Sequence, residues 1–503
     1  MSRSHQVLLL AALATPATAV AASFEPAPCP FTLPPAQVEG EDVECGYLVV
    51  PEDRDAGGRA IRLGVAILRD SFGEETAPDP VLYLSGGPGA SALEFLSYSF
   101  RDTFSPLLTM DRDVVLFDQR GVGVSQPALD CPLDAQSTEQ WSACAETLRA
   151  GADLSDYHTL ASAHDVNELR LALGYDQVNL WGGSYGTRLA LEVMREHPEA
   201  LRSVVLDAVY PPDVDLILDT PSSVDRAFGL LFASCAADPA CDAAYPDLGG
   251  TLQAAATQLD AQPATIRTVD PFSGQTIETP LDGTGLVSVL FRFQYATSLV
   301  PVLPQLIHDA AGGRFALVER YLGAFLGQAT GSSTGMQVSV LCHDEVAFSS
   351  PAQLAAAHGP FPLIAPIFAS GILGPQAYAI CDVWQAGEAD ARADQAVGSD
   401  VPTLLLAGDL DPITPPEWAE RAAATLSRAQ LVRFPTYGHG AGAEACGREV
   451  LRAFVVNPHA PADASCASEL AVRWALPGGT TALAREPELL AQLGLYGAPP
   501  GIP

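Results

Sequence analysis

Residues 178–186 read Val-Asn-Leu-Trp-Gly-Gly-Ser-Tyr-Gly, and this stretch decides the fold. An apolar run typical of a strand leads into the motif G-x-S-x-G, centred on Ser184, and a helical pattern follows. This order is that of a nucleophile elbow, in which the serine occupies a strained turn and the flanking glycines let neighbouring backbone approach. The helix N-terminus behind the serine favours developing negative charge. The stretch therefore predicts a reactive serine between a strand and a helix.

The motif by itself is a weak signal, because a second match lies at residues 331–335, centred on Ser333. At ordinary Gly and Ser frequencies, a chain of this length contains one such match by chance about once in five. No apolar strand precedes the second match and the pattern shows no helix start after it, so we interpret it as a flexible loop. Context therefore favours Ser184.

Outward from Ser184, short β-branched or aromatic runs alternate with helical patterns, which indicates α/β architecture with a mostly parallel sheet. Strands are predicted at residues 46–50, 61–68, 81–84, 114–118, 178–181, 203–206, 403–407 and 430–434. Helices are predicted at residues 162–173, 187–196 and 415–426, and after residue 442. We therefore expect an α/β core made of residues 23–210 and 399–503. A large, mainly helical insertion, residues 211–398, interrupts it after the sixth core strand.

A nucleophilic serine needs a base, and the base needs an orienting acid. His439 follows the last predicted strand and has a glycine on each side, which suits a loop that presents an imidazole. Asp409 and Asp411 follow the preceding strand. Asp411 is favoured as the acid because it lies further along the loop, and Asp409 is expected to be structural. Asp207, at the end of the strand before the insertion, is a third candidate.

An oxyanion hole requires two backbone N–H groups directed at the developing alkoxide. Tyr185, the residue after the serine, is expected to supply one of them. The other is expected from residues 85–89, Ser-Gly-Gly-Pro-Gly, where glycine lets the main chain reach the substrate. Gly87 is the favoured donor in this loop, with Gly86 as the alternative.

The charge balance excludes several classes of function. The 503 residues include 60 acidic and 26 basic side chains, a net charge of −34, and every basic residue is Arg. Without Lys there is no Schiff-base chemistry, no Walker-type phosphate-binding lysine and no Ser-Lys dyad. The acidic balance argues against nucleic-acid and anionic-membrane partners. A hydrophobic fraction of 48% argues against an acidic disordered protein.

Residues 1–22 have the pattern of a secretory signal peptide. Arg3 precedes an apolar stretch at 7–13 and a small-residue cleavage zone at 19–22. The apolar stretch is shorter than the roughly 20 residues needed to span a bilayer, and an amino-terminal anchor helix is the alternative. We therefore expect a secreted or periplasmic protein with no membrane association after signal removal.

The ten cysteines agree with an oxidising compartment. Their spacings favour pairing between sequence neighbours, although sequence alone does not determine connectivity. A zinc site is the competing interpretation, but the chain contains neither C-x-x-C nor H-E-x-x-H. We therefore expect disulfides and no metal.

Five motifs occur in order along the chain: Gly-Gly-Pro-Gly at 86–89, Asp-Gln-Arg-Gly-Val-Gly-Val-Ser at 118–125, Trp-Gly-Gly-Ser-Tyr-Gly at 181–186, Gly-Asp-Leu-Asp-Pro at 408–412 and Gly-His-Gly at 438–440. Together they resemble the α/β-hydrolase family of prolyl iminopeptidases and, more closely, secreted tripeptidyl-aminopeptidase-like proteins. The resemblance covers most of residues 45–455. Many iminopeptidases have histidine before Gly-Gly-Pro, where this chain has Ser85, which fits the tripeptidyl-like group better.

The resemblance implies Ser184 as nucleophile, Asp411 as acid and His439 as base. It also implies oxyanion donors from Gly87 and Tyr185, a cap built from the insertion, and no cofactor.

The family's acidic cap residues bind the free α-amine of the substrate. Residues 342–345, Cys-His-Asp-Glu, resemble that segment, so the resemblance implies that Asp344 or Glu345 holds this amine. Solvated surface carboxylates are the alternative interpretation of these two residues.

The expected function is that of a serine aminopeptidase, which releases a proline or a short peptide from substrates with a free N-terminus. An esterase or other acyl hydrolase with the same three residues is the alternative, because fold alone does not determine substrate. A third hypothesis, from another class, is a non-catalytic binding protein, which would be expected to lack part of the triad.

Overall fold

The computed structural model describes residues 21–70, 76–132, 137–269, 275–328 and 332–477. The expected signal peptide, residues 1–22, lies outside the described residues apart from its last two. Within these ranges no helix combines the length and the apolar character needed to cross a membrane.

Nine strands form one sheet in the order β1-β2-β3-β5-β4-β6-β7-β10-β11, and β8 and β9 form a separate hairpin. The bounds are β1 Ser23–Pro26, β2 Val43–Pro51, β3 Ala60–Leu68, β4 Val81–Leu84, β5 Val114–Phe117, β6 Val178–Gly183, β7 Leu201–Asp207, β8 Ala264–Val269, β9 Thr276–Leu281, β10 Thr403–Gly408 and β11 Ala429–Phe434. Strands β1, β2, β3 and β5 pair antiparallel, and the remaining six-strand run from β5 to β11 is parallel. The sheet is thus mostly parallel, as the alternation predicted.

The helices divide into those that cover the sheet and those of the inserted region. Their bounds are α1 Ala92–Ser99, α2 Thr138–Arg149, α3 Thr159–Ala172, α4 Tyr185–Glu196, α5 Leu216–Ala237, α6 Pro239–Ala244, α7 Leu248–Ala261, α8 Gly283–Gln294, α9 Leu303–Ala311, α10 Ala316–Gln328, α11 Thr334–Asp344, α12 Pro351–His358, α13 Ala377–Trp384, α14 Pro416–Ala423 and α15 Ala445–Val456. Side chains of α3, α4 and α14 join the apolar cluster on one face of the sheet, and those of α1 and α15 join the cluster on the other face. Both faces are covered, which explains why the parallel strands are continuous apolar runs.

The insertion begins after β7, which is the sixth predicted strand because the four-residue β1 was missed. Between β7 and β10 the described residues add no strand to the large sheet, and they form the nine helices α5–α13. The β8–β9 hairpin was not predicted in this region. Most side chains of β9 are exposed, so the strand lacks the alternation that marks a half-buried strand.

The second G-x-S-x-G match was wrongly interpreted as a loop without a following helix. Helix α11 begins at Thr334, directly after Ser333. Among the described residues, the element that precedes it is helix α10, residues 316–328.

All ten cysteines form disulfides between sequence neighbours, as the spacing predicted. The pairs are Cys29–Cys45, Cys131–Cys144, Cys235–Cys241, Cys342–Cys381 and Cys446–Cys466. The first ties the chain before β2 to that strand, and the fourth joins α11 to α13 within the insertion.

Candidate active site

The predicted site residues lie at the carboxyl edge of the parallel strands. Residues 85–89 follow β4, Ser184 follows β6, Asp411 lies in the loop after β10, and His439 in the loop after β11. Because these strands run parallel and are neighbours in the sheet, their carboxyl ends bring distant segments of sequence together.

Ser184 adopts the strained backbone expected of a nucleophile elbow. Its φ of 54° lies in the left-handed region that few non-glycine residues adopt. The turn is closely packed: a Cβ on Gly182 would lie 2.3 Å from the Gly186 carbonyl oxygen, and one on Gly186 would lie 2.0 Å from the Leu84 carbonyl oxygen. The glycines of the motif are therefore required by backbone contact, and α4 begins at the next residue with its N-terminus beside the serine.

The loop after β4 passes over this turn. A Cβ on Gly86 would lie 2.9 Å from both the Gly183 carbonyl oxygen and the Ser184 Cβ, so only glycine fits there. Gly87 has a φ of 111°, which turns the main chain between Gly86 and Gly89. Within the described part of the chain, neither the Gly87 nor the Tyr185 N–H donates to an acceptor, which leaves both groups available to a ligand. Their role as oxyanion donors stays a prediction.

The segment around Ser333 is docked on this glycine loop, although it belongs to the insertion. The Ser333 N–H donates to the Gly89 carbonyl over 2.8 Å, and its hydroxyl accepts from the Gly123 N–H at 3.1 Å. The same hydroxyl donates to Asp130 at 2.7 Å. The serine of the second motif thus holds the insertion against the glycine loop.

His439 and Asp411 contact each other directly. The His439 Nδ1 and the Asp411 Oδ2 are 2.8 Å apart, and Asp411 is fully buried. The N–H groups of Ile413 and Thr414 donate to the other carboxylate oxygen at 2.9 Å each, and the Thr414 hydroxyl donates to Oδ2 at 2.7 Å. Asp411 is therefore held in one orientation facing the imidazole, which leaves the other ring nitrogen for a substrate or nucleophile.

The electrostatics of this pair favour the charged forms of both groups. Burial alone would raise the pKa of the Asp411 carboxyl, but the charge and hydrogen bond of His439, with donors from Ile413 and Thr414, lower it below its usual value. Burial alone would lower the pKa of His439. The charge and hydrogen bond of Asp411 outweigh the effect of burial and raise this pKa above 6.5, and the charge of Asp207 adds a smaller increase.

The raised pKa of His439 predicts the pH dependence of turnover. A general base acts only when deprotonated, so kcat/KM should fall as the pH drops through the pKa of free-enzyme His439. We expect the midpoint of this acid limb to lie above the ordinary imidazole value of 6.5. Replacing Asp411 by Asn should move the midpoint to lower pH. A limb at or below the ordinary value in the unmodified protein would contradict this assignment of the base.

The two other candidate acids have different partners. Asp409 pairs with Arg433 at 2.9 Å and does not face the imidazole. Asp207 is buried and accepts the N–H groups of Ala441 and Gly442, each at 2.8 Å. Asp207 therefore fixes the chain just after His439, which is a positioning contact that the sequence did not predict.

The insertion also contacts the acid and histidine loops. Arg226 of α5 donates to the carbonyl oxygens of Asp409 at 2.9 Å and Asp411 at 2.7 Å. The His439 N–H donates to the Tyr295 carbonyl at 2.8 Å, and the Thr297 hydroxyl accepts from the Gly438 N–H at 3.0 Å. Three loops of the candidate site are thus hydrogen-bonded to the inserted region.

Asp344 and Glu345 do not lie where they were expected. Both are nearly inaccessible, with 2% and 3% of their surfaces exposed. Asp344 accepts from the N–H and the hydroxyl of Thr159 and contacts the His343 Nδ1 at 2.6 Å. Glu345 pairs with Arg188 of α4 and accepts the Leu216 N–H at 2.9 Å.

Neither carboxylate lines the cavity that contains Ser184 and His439. Since Asp344 and Glu345 are satisfied by partners from the core and the insertion, this placement does not support the amine-binding expectation for them. It indicates instead that they hold α11 against the core. The sequence could not show that these carboxylates hold α11 against the core, because Arg188 lies 157 positions before its partner Glu345.

The cavity at the carboxyl edge has a volume of about 400 Å³, within the usual range of small-ligand sites. Ser184, His439 and residues 85–87 line this cavity. The remainder is largely apolar or aromatic, and part of it comes from the insertion. A larger cavity, about 600 Å³, lies near Arg202 and residues 398–402, at the opposite edge of the sheet. It contains none of the predicted site residues, and ligands of open α/β sheets bind at the carboxyl ends of strands.

Comparisons with known proteins agree with this fold. Residues 79–242 match a family model described as alpha/beta hydrolase fold, and residues 370–466 match one described as TAP-like protein. The serine protease Hip1 of Mycobacterium tuberculosis is 25% identical over 473 residues, covering 86% of this chain and 89% of that protein.

Two further relatives match over shorter regions. The tripeptidyl aminopeptidase of Streptomyces lividans is 30% identical over 201 residues, covering 35% of this chain and 37% of that protein. The proline iminopeptidase of Neisseria meningitidis serogroup B is 30% identical over 171 residues, covering 33% of this chain and 46% of that protein. The resemblance drawn from the five ordered motifs is therefore confirmed.

Proposed function

We propose that this chain, an α/β hydrolase related to serine proteases and TAP-like proteins, is a secreted serine aminopeptidase. It would release N-terminal residues, either proline or a short peptide, from substrates with a free amine. The observation that carries the proposal is the convergence of a strained Ser184, a buried Asp411–His439 pair and the glycine loop on one cavity. The relatives named serine protease, tripeptidyl aminopeptidase and proline iminopeptidase support the peptide as substrate class.

The mechanism passes through an acyl-enzyme. His439 takes the proton of the Ser184 hydroxyl as its oxygen attacks the scissile carbonyl carbon, while Asp411 orients the imidazole and stabilises its protonated form. The N–H groups of Gly87 and Tyr185 stabilise the oxyanion. His439 then gives its proton to the departing amine, and the C–N bond breaks.

The second half of the reaction repeats these roles with water. His439 takes a proton from a water molecule, which attacks the acyl carbonyl, and returns it to the Ser184 oxygen as the ester bond breaks. The products are the released N-terminal fragment, now with a carboxylate, and the shortened peptide. The reaction is a hydrolysis in which all atoms and protons are supplied by peptide, water and the three side chains.

We further propose that residues 211–398 act as a cap that shapes the acyl side of the cavity. Leu216, Tyr295, Leu341 and Leu373 come from this region and line the cavity. An apolar wall of this kind suits apolar side chains next to the scissile bond.

A substrate panel tests the proposal. The purified protein is given peptidyl coumarin amides with acyl parts of one to four residues, each with a free and an acetylated N-terminus, and short acyl nitrophenyl esters. We expect the free-amine amides to be cleaved and their acetylated forms to be poor substrates. Cleavage of esters only, or equal cleavage of free and blocked amides, would contradict the aminopeptidase and favour the acyl-hydrolase alternative.

A further inference from the structure

We propose that Glu94, near the start of α1, holds the positively charged α-amine of the substrate and so fixes which bond reaches Ser184. The inference rests on the proposed aminopeptidase function. Glu94 lines the same cavity as Ser184 and His439. Within the described residues, it is the only carboxylate that lines this cavity.

The helix itself does not use the Glu94 carboxylate. Ser91 caps α1 by accepting the Glu94 N–H at 3.0 Å, but Glu94 does not return a side-chain hydrogen bond to the Ser91 N–H. The buried carboxylate of Asp118 serves the helix start instead, because it accepts the Leu93 N–H at 3.1 Å and the Ser91 hydroxyl at 2.8 Å. The Glu94 side chain is therefore not needed to cap the helix.

No hydrogen-bond or ion-pair partner contacts the Glu94 carboxylate within the described ranges of the chain, whereas Asp344 and Glu345 each have several. Partial burial raises the pKa of Glu94 above its usual value, and no nearby positive group opposes that effect. Glu94 itself is exposed, so its carboxylate is open to an incoming substrate. A charge-assisted hydrogen bond from a substrate amine would strengthen there as the bound substrate excludes water.

Apart from Glu94 and His439, the residues that line the cavity are uncharged. Phe95 is next to Glu94, and Tyr83, Tyr295 and Leu373 are among the remaining lining groups. Because Glu94 follows the glycine loop by a few residues and Gly87 is expected to bind the oxyanion, one continuous segment would contact both ends of the acyl part. A substrate amine at Glu94 and a scissile carbonyl at Ser184 would set the length of the fragment released.

The test combines an enzyme change with a matched substrate change. Glu94→Gln keeps the size of the side chain and removes its charge, and kcat/KM is measured with free-amine and acetylated amides of each length. We expect the kcat/KM of the variant to fall about 10- to 100-fold on its best free-amine substrate, because that is the value of one hydrogen bond to a charged group. On acetylated amides and short acyl esters, kcat/KM should fall by less than about threefold. Glu94→Asp should recover part of the loss.

Glu139→Gln is the matched control, because Glu139 likewise lies in the first turn of a helix, α2, but outside the cavity. It should preserve the preference for free amines. If the unmodified protein cleaves free-amine amides and Glu94→Gln keeps the full preference over acetylated ones, Glu94 is not the amine site while the aminopeptidase stands. If the unmodified protein has no preference for a free amine, the proposed function fails, and this inference fails with it.

Discussion

Ser184→Ala should lower kcat/KM about 10⁴- to 10⁶-fold, because removing the nucleophile of a serine triad leaves only binding and oxyanion stabilisation. The variant should fold normally. The substitution removes only the hydroxyl of Ser184. The close backbone contacts of the elbow are made by Gly182 and Gly186, so they stay intact. The residual rate is measured with the preferred free-amine amide at high enzyme concentration, and the thermal unfolding midpoint is measured on the same sample.

The second G-x-S-x-G match supplies the control for this prediction. Ser333→Ala removes the same hydroxyl from the same motif, but it affects only contacts with Gly123 and Asp130. We expect kcat/KM to fall far less than in Ser184→Ala, by no more than about 10-fold, which corresponds to the loss of one or two buried hydrogen bonds. If Ser184→Ala retained more than a few per cent of the activity, or if Ser333→Ala were equally damaging, Ser184 would not be the nucleophile.

Asp411→Asn should lower kcat about 10⁴-fold, as expected when the acid of a serine triad becomes an amide. The surroundings of Asp411 give the physical reason. Two backbone N–H groups, of Ile413 and Thr414, donate to one carboxylate oxygen, so the amide oxygen of Asn would occupy that position. Its NH₂ group would then face the His439 Nδ1, which would have to accept a hydrogen bond. The proton of the neutral ring would move to Nε2, and the imidazole could not accept the proton of Ser184.

Asp409→Asn is the matched control, because it makes the same chemical change two residues earlier. The Asp409 side chain pairs with the partly exposed Arg433, and a surface pair of this kind is worth about 1 kcal/mol or less. We therefore expect a loss below about fivefold, measured as kcat with the same substrate. Equal losses in the two variants would show that the loop as a whole, and not the Asp411 carboxylate, determines activity.

Local motifs and strand patterns were enough to predict the core of the fold. The apolar strands and the residues that follow them are contiguous in sequence, so Ser184, Asp411 and His439 could be located from their neighbours alone. The four-residue β1 and the exposed strand β9 escaped prediction because neither has a repeating apolar pattern. Helix α1 also escaped prediction.

The contacts that position the site were not predictable, because each joins segments far apart in sequence. Arg226 lies 185 positions before Asp411, whose carbonyl oxygen it contacts. The acidic pair at 344–345 matched a family pattern by residue type, yet its role depends on Arg188 and Thr159, which sequence does not bring near it. Glu94 had no motif to mark it, and only its position in the cavity distinguishes it from other surface acids.

The hydrogen bonds from the insertion to the three loops of the candidate site limit how this protein can be re-engineered. Arg226, Ser333 and the segment at 295–297 would all be replaced if the insertion were exchanged for that of a relative. A chimera joined at residues 211 and 398 would then acquire a new pocket and lose the hydrogen bonds that support the loops of the candidate site. The inserted region and the core are therefore not interchangeable modules. Altering selectivity should succeed by changing single lining residues more readily than by transplanting the whole segment.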